Sequence, residues 1–257
     1  LLICKKLSEN GLIKLYSKKQ IPPKLELFIN EKQSKIEFNK EQKVANDKIL
    51  KYIETNEFHS ILLHGVTGSG KTEIYIKAVK EIIKRNKTAV LILPEITLAP
   101  QIANKFSNVF GAQIAVWHSK LSSAQRSYYW KNICSGNFKI VIGARSAIFT
   151  PLKNIGLIIV DEEHESSYKQ EHSVPKYHAR DVSLMRGRIS NATVVLGSAT
   201  PSLESIYNQL NGKSKFIQLK NRFGKAILPK VHLVDMLKES EENYGNPISD
   251  LLNEKIG

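Results

Sequence analysis

The chain has 257 residues, 42% of them hydrophobic, enough to bury a full core, and its length favours one large domain or one domain with appendages. No stretch approaches the roughly 18 consecutive apolar residues of a membrane span, and Leu1-Leu2-Ile3-Cys4 is too short for an export signal, so a cytoplasmic address and no membrane partner are expected. Lys and Arg number 38 against 24 Asp and Glu, a formal net charge of +14, which suits a partner made of phosphates; the lysines are scattered, which suits a solvated surface equally well.

Residues 1–34 are short, basic and weakly patterned, with a turn signal at Asn10-Gly11, a candidate strand at Leu12, Ile13 and Leu15, and a breaker at Pro22-Pro23. This stretch reads as the tail of a preceding small domain plus a linker. From Asn39 onward, strand and helix patterns alternate: helices over 40–54, 97–110, 122–135, 178–189 and 201–210, and short apolar, β-branched strands over 61–64, 88–93, 114–117, 139–143, 157–161 and 193–197. Such alternation predicts a mainly parallel sheet covered by helices on both faces, with ligands at the carboxyl ends of its strands. A further strand is expected over 231–235, and Ser249 reads as the N-cap of a last helix. The two cysteines, Cys4 and Cys134, form no Cys-x-x-Cys pair and read as packing residues. Because the chain starts at Leu1 and stops at Gly257 inside a helical pattern, it reads as a fragment.

Gly65-Val66-Thr67-Gly68-Ser69-Gly70-Lys71-Thr72 satisfies the phosphate-loop pattern and lies between the strand at Ile61–Leu63 and a helical pattern ending near Asn86. Glycines let successive N–H groups turn in around phosphates, and the following helix end favours negative charge. Gly65, Gly68, Ser69 and Gly70 are therefore candidates to cradle a nucleoside triphosphate, Lys71 to reach its β and γ phosphates, and the Thr72 hydroxyl to ligate magnesium. A second signal is Leu157-Ile158-Ile159-Val160-Asp161-Glu162-Glu163-His164, a buried strand ending in acids. In this setting Asp161 is expected to hold Mg2+ through water and Glu162 to orient and deprotonate the attacking water.

Asp161-Glu162-Glu163-His164 together with Gly197-Ser198-Ala199-Thr200-Pro201 resembles motifs II and III of the superfamily 2 helicases. Longer strings narrow the likeness: Leu93-Pro94-Glu95-Ile96 with Leu98 and Gln101, Gly143-Ala144-Arg145-Ser146-Ala147, and Ser167-Tyr168-Lys169-Gln170 followed by Tyr177-His178-Ala179-Arg180-Asp181. Over residues 36 to 257 these resemble the family of primosomal protein N′ (PriA), the bacterial replication-restart helicases.

The resemblance implies a RecA-like ATP-binding lobe over 35–235, preceded by the tail of a winged-helix-like domain (1–34) and followed by the start of a second lobe (236–257). It implies ATP and Mg2+ as cofactors, with zinc only in a C-terminal part outside this chain. It further implies that Gln42 contacts adenine, that Pro94, Glu95, Gln101, Gly143, Arg145 and Ser146 line single-stranded DNA, and that His164, Ser198 and Thr200 relay between hydrolysis and DNA. Tyr168, Lys169, Gln170, Tyr177 and Arg180 fall where that family carries an aromatic-rich loop, whose rings stack bases and whose cations take phosphates. His59, His64, His118 and His232 carry no comparable context, and Trp117, Tyr128, Tyr129 and Trp130 read as core or helix-face residues. Implied partners are single-stranded and forked DNA, primosome proteins and single-strand-binding protein, in the cytoplasm and on the nucleoid; the implied activity is 3′-5′ unwinding. Hydrolysis in that family needs arginines from the second lobe, so residues 1–257 alone are expected to hold nucleotide with little turnover. Two other readings stay open: a double-stranded DNA translocase of the same superfamily, and a non-catalytic DNA-binding primosome scaffold.

Overall fold

Apolar β-branched segments assemble into a seven-stranded, all-parallel sheet in the computed structural model, which describes residues 2–14, 38–94, 100–171, 174–223, 230–237 and 248–256. In chain order the elements of its first part are α1 (Leu2–Glu9), α2 (Lys40–Glu54), β1 (His59–Gly65), α3 (Lys71–Lys84), β2 (Thr88–Ile92), α4 (Pro100–Phe110), β3 (Ile114–Trp117), α5 (Ser123–Cys134) and β4 (Ile140–Gly143). There follow a 3-10 turn (Arg145–Phe149), β5 (Ile155–Asp161), a small hairpin of β6 (Lys169–Gln170) and β7 (Tyr177–His178), α6 (Ala179–Ile189), β8 (Thr193–Ser198), α7 (Leu203–Leu210), β9 (Lys215–Leu219) and α8 (Asp250–Ile256). The strand order is β3-β4-β2-β5-β8-β1-β9.

Because side chains alternate across a strand, each central strand feeds two cores. Ile61 and Leu63 of β1, with Leu157 and Ile159 of β5, pack against α2, α3 and α4 through Ile49, Ile74, Val79 and Phe106. Leu62, Ile158 and Val160 point the other way, against Ile133 of α5, Ile148 and Ala179. These side chains are fully buried or nearly so, and each contributes about 1.5–3 kcal/mol relative to exposure. Helix starts follow the sequence: Asn39 and Gln42 form a reciprocal capping box at α2, and Ser122 and Gln125 do the same at α5.

The parallel sheet with helices on both faces is as expected, and three local expectations need correction. Leu12 and Ile13 form no strand; the segment before them is helical instead, and Leu15 with Pro22-Pro23 lies outside the described residues. Residues 231–235 form no strand, with Val231 79% and Leu233 97% exposed; an alternating pattern without a neighbouring ladder among the described residues does not make a strand. Conversely β9, absent from the expected elements, pairs in parallel with β1 from Ile61↔Lys215 to Gly65↔Leu219.

The chain divides into two compact units, Leu1–Phe223 and Gly224–Gly257. The first holds the whole seven-stranded sheet. In the second, α8 starts as the sequence indicates, with Leu252 N donating to Ser249 Oγ at 3.1 Å. Among the described residues no helix is long and apolar enough to cross a membrane.

Candidate nucleotide site and its coupling network

The turn from β1 into α3 is built around backbone that side chains rarely adopt. Gly68 and Gly70 have φ of 77° and 84°, and a Cβ on Gly70 would collide with the Gln42 amide, so both geometry and space require glycine there. Gln42 is buried; its Oε1 accepts from Asn39 N at 2.9 Å and its Nε2 donates to Ser69 O at 2.8 Å. The Gln42 amide thus ties α2 to the phosphate loop. Ser69 Oγ is buried with no hydrogen-bond partner, an orphaned polar atom inside a loop of inward-turned backbone. Such a cradle at the start of a 14-residue helix fits the phosphates of a nucleotide.

Lys71 opens α3 and is buried; its Nζ donates to Gly65 O at 2.9 Å and lies 3.5 Å from Glu162 Oε1. Thr72 follows it, half-buried. Asp161 ends β5, the strand neighbouring β8 in register Asp161↔Gly197. Its Oδ1 accepts from the Tyr75 hydroxyl at 2.8 Å. Burial pushes the Asp161 carboxyl up from 3.8 to about 6, with the Glu162 charge adding to the rise and the Tyr75 hydrogen bond and Lys71 opposing it. Thr72 and Asp161 are the residues that would hold a magnesium ion, and a buried carboxylate at a strand end, short of compensating charge, fits that ion.

Asp161 also carries a stability consequence. Between about pH 4 and 6 the folded chain binds more protons at this carboxyl than the unfolded chain does, so its contribution becomes progressively destabilising as pH rises through that window. Asp161→Asn is accordingly expected to stabilise the nucleotide-free protein by about 1–3 kcal/mol at pH 8, with the gain in thermal midpoint vanishing near pH 4. A lower midpoint for the variant at pH 8 would show that the carboxylate is well solvated instead.

Glu162 sits at φ 47°, a left-handed conformation uncommon for a residue with a long side chain, of the kind that clusters at active sites. Its carboxylate lies between Lys71 and His164, whose Nδ1 is 3.8 Å from Glu162 Oε2. His164 Nδ1 is also 2.8 Å from Ser198 Oγ, and its Nε2 is 3.3 Å from Thr200 Oγ1. Thr200 N donates to Ser198 Oγ at 2.9 Å. Lys71, Glu162, His164, Ser198 and Thr200 thus form one chain of polar contacts from the phosphate loop to the end of β8.

Glu163 is the residue that sequence reasoning left without a role. Fully buried, it accepts from Ser202 N (2.8 Å), Ser202 Oγ (3.0 Å), Ser205 Oγ (2.8 Å) and Arg180 (3.3 Å), so it ties the acidic motif to the start of α7. Arg180 additionally pairs with Asp181 at 3.1 Å, so this cation is spent inside the protein rather than offered to a phosphate. Tyr75 was also missed, although its place four residues after Lys71 puts both on one helix face.

The residues expected on DNA are less uniformly placed. Gly143 ends β4; Arg145 is half-buried and donates to Ser167 O (3.3 Å) and Lys169 O (3.1 Å), and Ser146 is exposed. Arg145 therefore ties the 3-10 turn to the aromatic segment. Tyr168, expected to stack a base, is buried, with its hydroxyl donating to Asp161 O at 2.5 Å and lying 3.3 Å from Ile92 O. Its ring is part of the core and is not presented to stack a base. Tyr177 is half-buried, edge-on to the half-exposed Phe149 with ring centroids 4.9 Å apart. Lys169 is exposed and pairs with Glu171 at 2.6 Å, and Gln170 Nε2 donates to Pro175 O at 2.9 Å. Pro94 is buried; Glu95 and the side chain of Gln101 lie outside the described residues.

The DEAD/DEAH box helicase family matches residues 39–209, the stretch that carries all of these motifs. Replication restart protein PriA of Chlamydia pneumoniae is 47% identical over 221 residues, covering 84% of this chain and 30% of that protein. The Bacillus subtilis PriA is 44% identical over 216 residues, covering 84% of this chain and 27% of that protein. The chain thus spans about a third or less of the length of these curated relatives. RecG bound to a three-way DNA junction is similar in fold, with a TM-score of 0.55 at 20% identity over 74% of this chain and 25% of that one. The chain belongs to the DEAD/DEAH box helicase family, and within superfamily 2 it is a relative of the replication restart protein PriA.

Proposed function

We propose that this chain is the ATP-binding lobe of an ATP-driven 3′-5′ DNA helicase acting in the restart of stalled replication forks. The observation that carries the proposal is the series of polar contacts from Lys71 through Glu162 and, at 3.8 Å, His164 to Ser198 and Thr200, which supports coupling between a nucleotide site and a surface at the strand ends. Residues 35–235 form the first motor lobe, 1–34 belong to a preceding winged-helix-like domain, and 236–257 begin the second lobe. The substrates are ATP with Mg2+, the track is single-stranded DNA at forks, and the setting is the cytoplasm and nucleoid, with primosome and single-strand-binding proteins as partners.

Lys71 Nζ holds the Gly65 carbonyl until triphosphate arrives, then exchanges it for β and γ phosphate oxygens. Backbone N–H groups of Gly68 to Thr72 take the remaining phosphate charge. Thr72 and Asp161 would hold magnesium, which when bound would neutralise charge developing on the phosphates. Glu162 orients the attacking water and accepts its proton on the carboxylate. His164, hydrogen-bonded at both ring nitrogens, carries the change at Glu162 to Ser198 and Thr200.

Lys71→Ala in the full-length protein should weaken ATP binding by about 1–3 kcal/mol, the range for loss of a charge-assisted contact. Isothermal titration checks it. An unchanged affinity would remove the phosphate loop from the account.

A further inference from the structure

At the outer edge of the sheet, away from the phosphate loop, two indoles meet. Trp117 closes β3 and Trp130 lies on α5, their ring centroids 6.1 Å apart and their planes tilted 50°. Arg126, one turn before Trp130, lays its guanidinium over the Trp117 ring at 5.7 Å. With Leu121, Ser123 and Ser127 these side chains line an open groove of about 620 Å³, within the size range of sites for nucleotide-sized ligands.

Trp117 is packed in the core with Leu121 and Ile133, but packing does not account for Trp130 or Arg126. Ile133 is the buried residue of α5, while Trp130 is 44% exposed. Arg126 is exposed, and among the described residues no carboxylate pairs with it. Lys120, also exposed, adds a second cation on the connection between β3 and α5. The groove's floor is continuous with the strand-end motif at Gly143–Ser146: Trp117 pairs with Gly143 in the sheet, and Ala144 N donates to Trp117 O at 3.2 Å.

The geometry points to a further nucleic-acid contact: this groove takes one base of a single-stranded DNA passing Gly143–Ser146, stacked on the Trp130 indole, with Arg126 on the adjoining phosphate. The inference rests on the proposed DNA-motor reading. Its chemistry follows from the residue types, since an indole face accepts any base and an unpaired guanidinium serves both as cation and as planar stacking partner. A protein ligand would find apolar area here, but the unpaired Arg126 and Lys120 and the hydroxyls of Ser123 and Ser127 favour a phosphate-bearing strand over a neutral peptide.

The test is fluorescence anisotropy of labelled oligothymidylate on the full-length protein, with Trp130→Ala, Trp130→Phe and Arg126→Glu variants verified as folded by circular dichroism. Trp130→Ala should bind about tenfold more weakly, toward the lower end for one base–aromatic stack, and Trp130→Phe should recover most of that loss. Arg126→Glu should weaken binding and lower the salt slope by about one. Photocross-linking with 5-iodouracil in the oligonucleotide should leave its adduct on Trp130. If the parent binds and both Trp130→Ala and Arg126→Glu match it within about twofold, the groove is not a DNA contact and is left for a protein partner, while the motor reading stands. If the parent itself fails to bind oligothymidylate, the motor reading falls together with the groove.

Discussion

Glu162→Gln in the full-length protein should lower ATP turnover by about 10²–10⁴-fold, the contribution typical of a positioned general base, while ATP binding changes only a few-fold. The amide keeps the size of the carboxylate, so the left-handed backbone at φ 47° and the contacts to His164 need not shift. What it loses is the capacity to accept a proton from water. Phosphate release measured beside calorimetric binding separates the two effects. Turnover within tenfold of the parent would mean that the water is activated elsewhere and that the Glu162 position between Lys71 and His164 is structural.

The second large effect is expected at Gly197, where β8 passes α3. A Cβ there would collide with the Tyr75 hydroxyl and stand 3.3 Å from Asp161 Oδ1. Tyr75 is fully buried and cannot swing away, so Gly197→Ala should destabilise the protein by about 3 kcal/mol, at the upper end of ordinary overpacking, and displace Asp161 as well. Tyr75→Phe removes the colliding oxygen, so the double variant should recover part of the stability lost by Gly197→Ala; the ring carbon 3.0 Å away keeps the rescue incomplete. Denaturant titration of the two single variants and the double yields the coupling directly. Additive losses would show that the strain is relieved through backbone movement and not at Tyr75.

The central strands were legible because a parallel sheet covered on both faces requires continuous apolar runs, and Ile61–Leu63 and Leu157–Val160 supply them. The edge strand β9 was not, since Lys215, Phe216 and Gln218 are exposed and its apolar signal reduces to Ile217 and Leu219. The same limitation explains 231–235, whose alternation would suit an edge strand but finds no ladder among the described residues. At the site, the phosphate loop and the acidic strand end were readable because their chemistry is local in sequence. The partners of the polar residues were not: Gln42 reaches Ser69 across 27 positions, Arg180 reaches Glu163 across 17 and Arg145 reaches Lys169 across 24. Each was expected to face a ligand, and each is held by a partner that no period reveals. Tyr168 follows suit, because an aromatic in a polar segment reads as exposed until the fold shows its hydroxyl on the Asp161 carbonyl.

On the proposed function, the phosphate loop, Glu162, His164, Ser198 and Thr200 act as one coupled motor element driving single-stranded DNA. The most direct measurement is ATP-dependent strand displacement by the full-length protein on duplexes with a 3′ or a 5′ single-stranded tail, with hydrolysis followed in the same reactions. Displacement of the 3′-tailed duplex, hydrolysis stimulated by single-stranded DNA, and loss of both in Glu162→Gln are the expected results. DNA-stimulated hydrolysis without displacement would identify a double-stranded translocase, and DNA binding with no hydrolysis at all would identify a non-catalytic scaffold; either would contradict the proposed helicase.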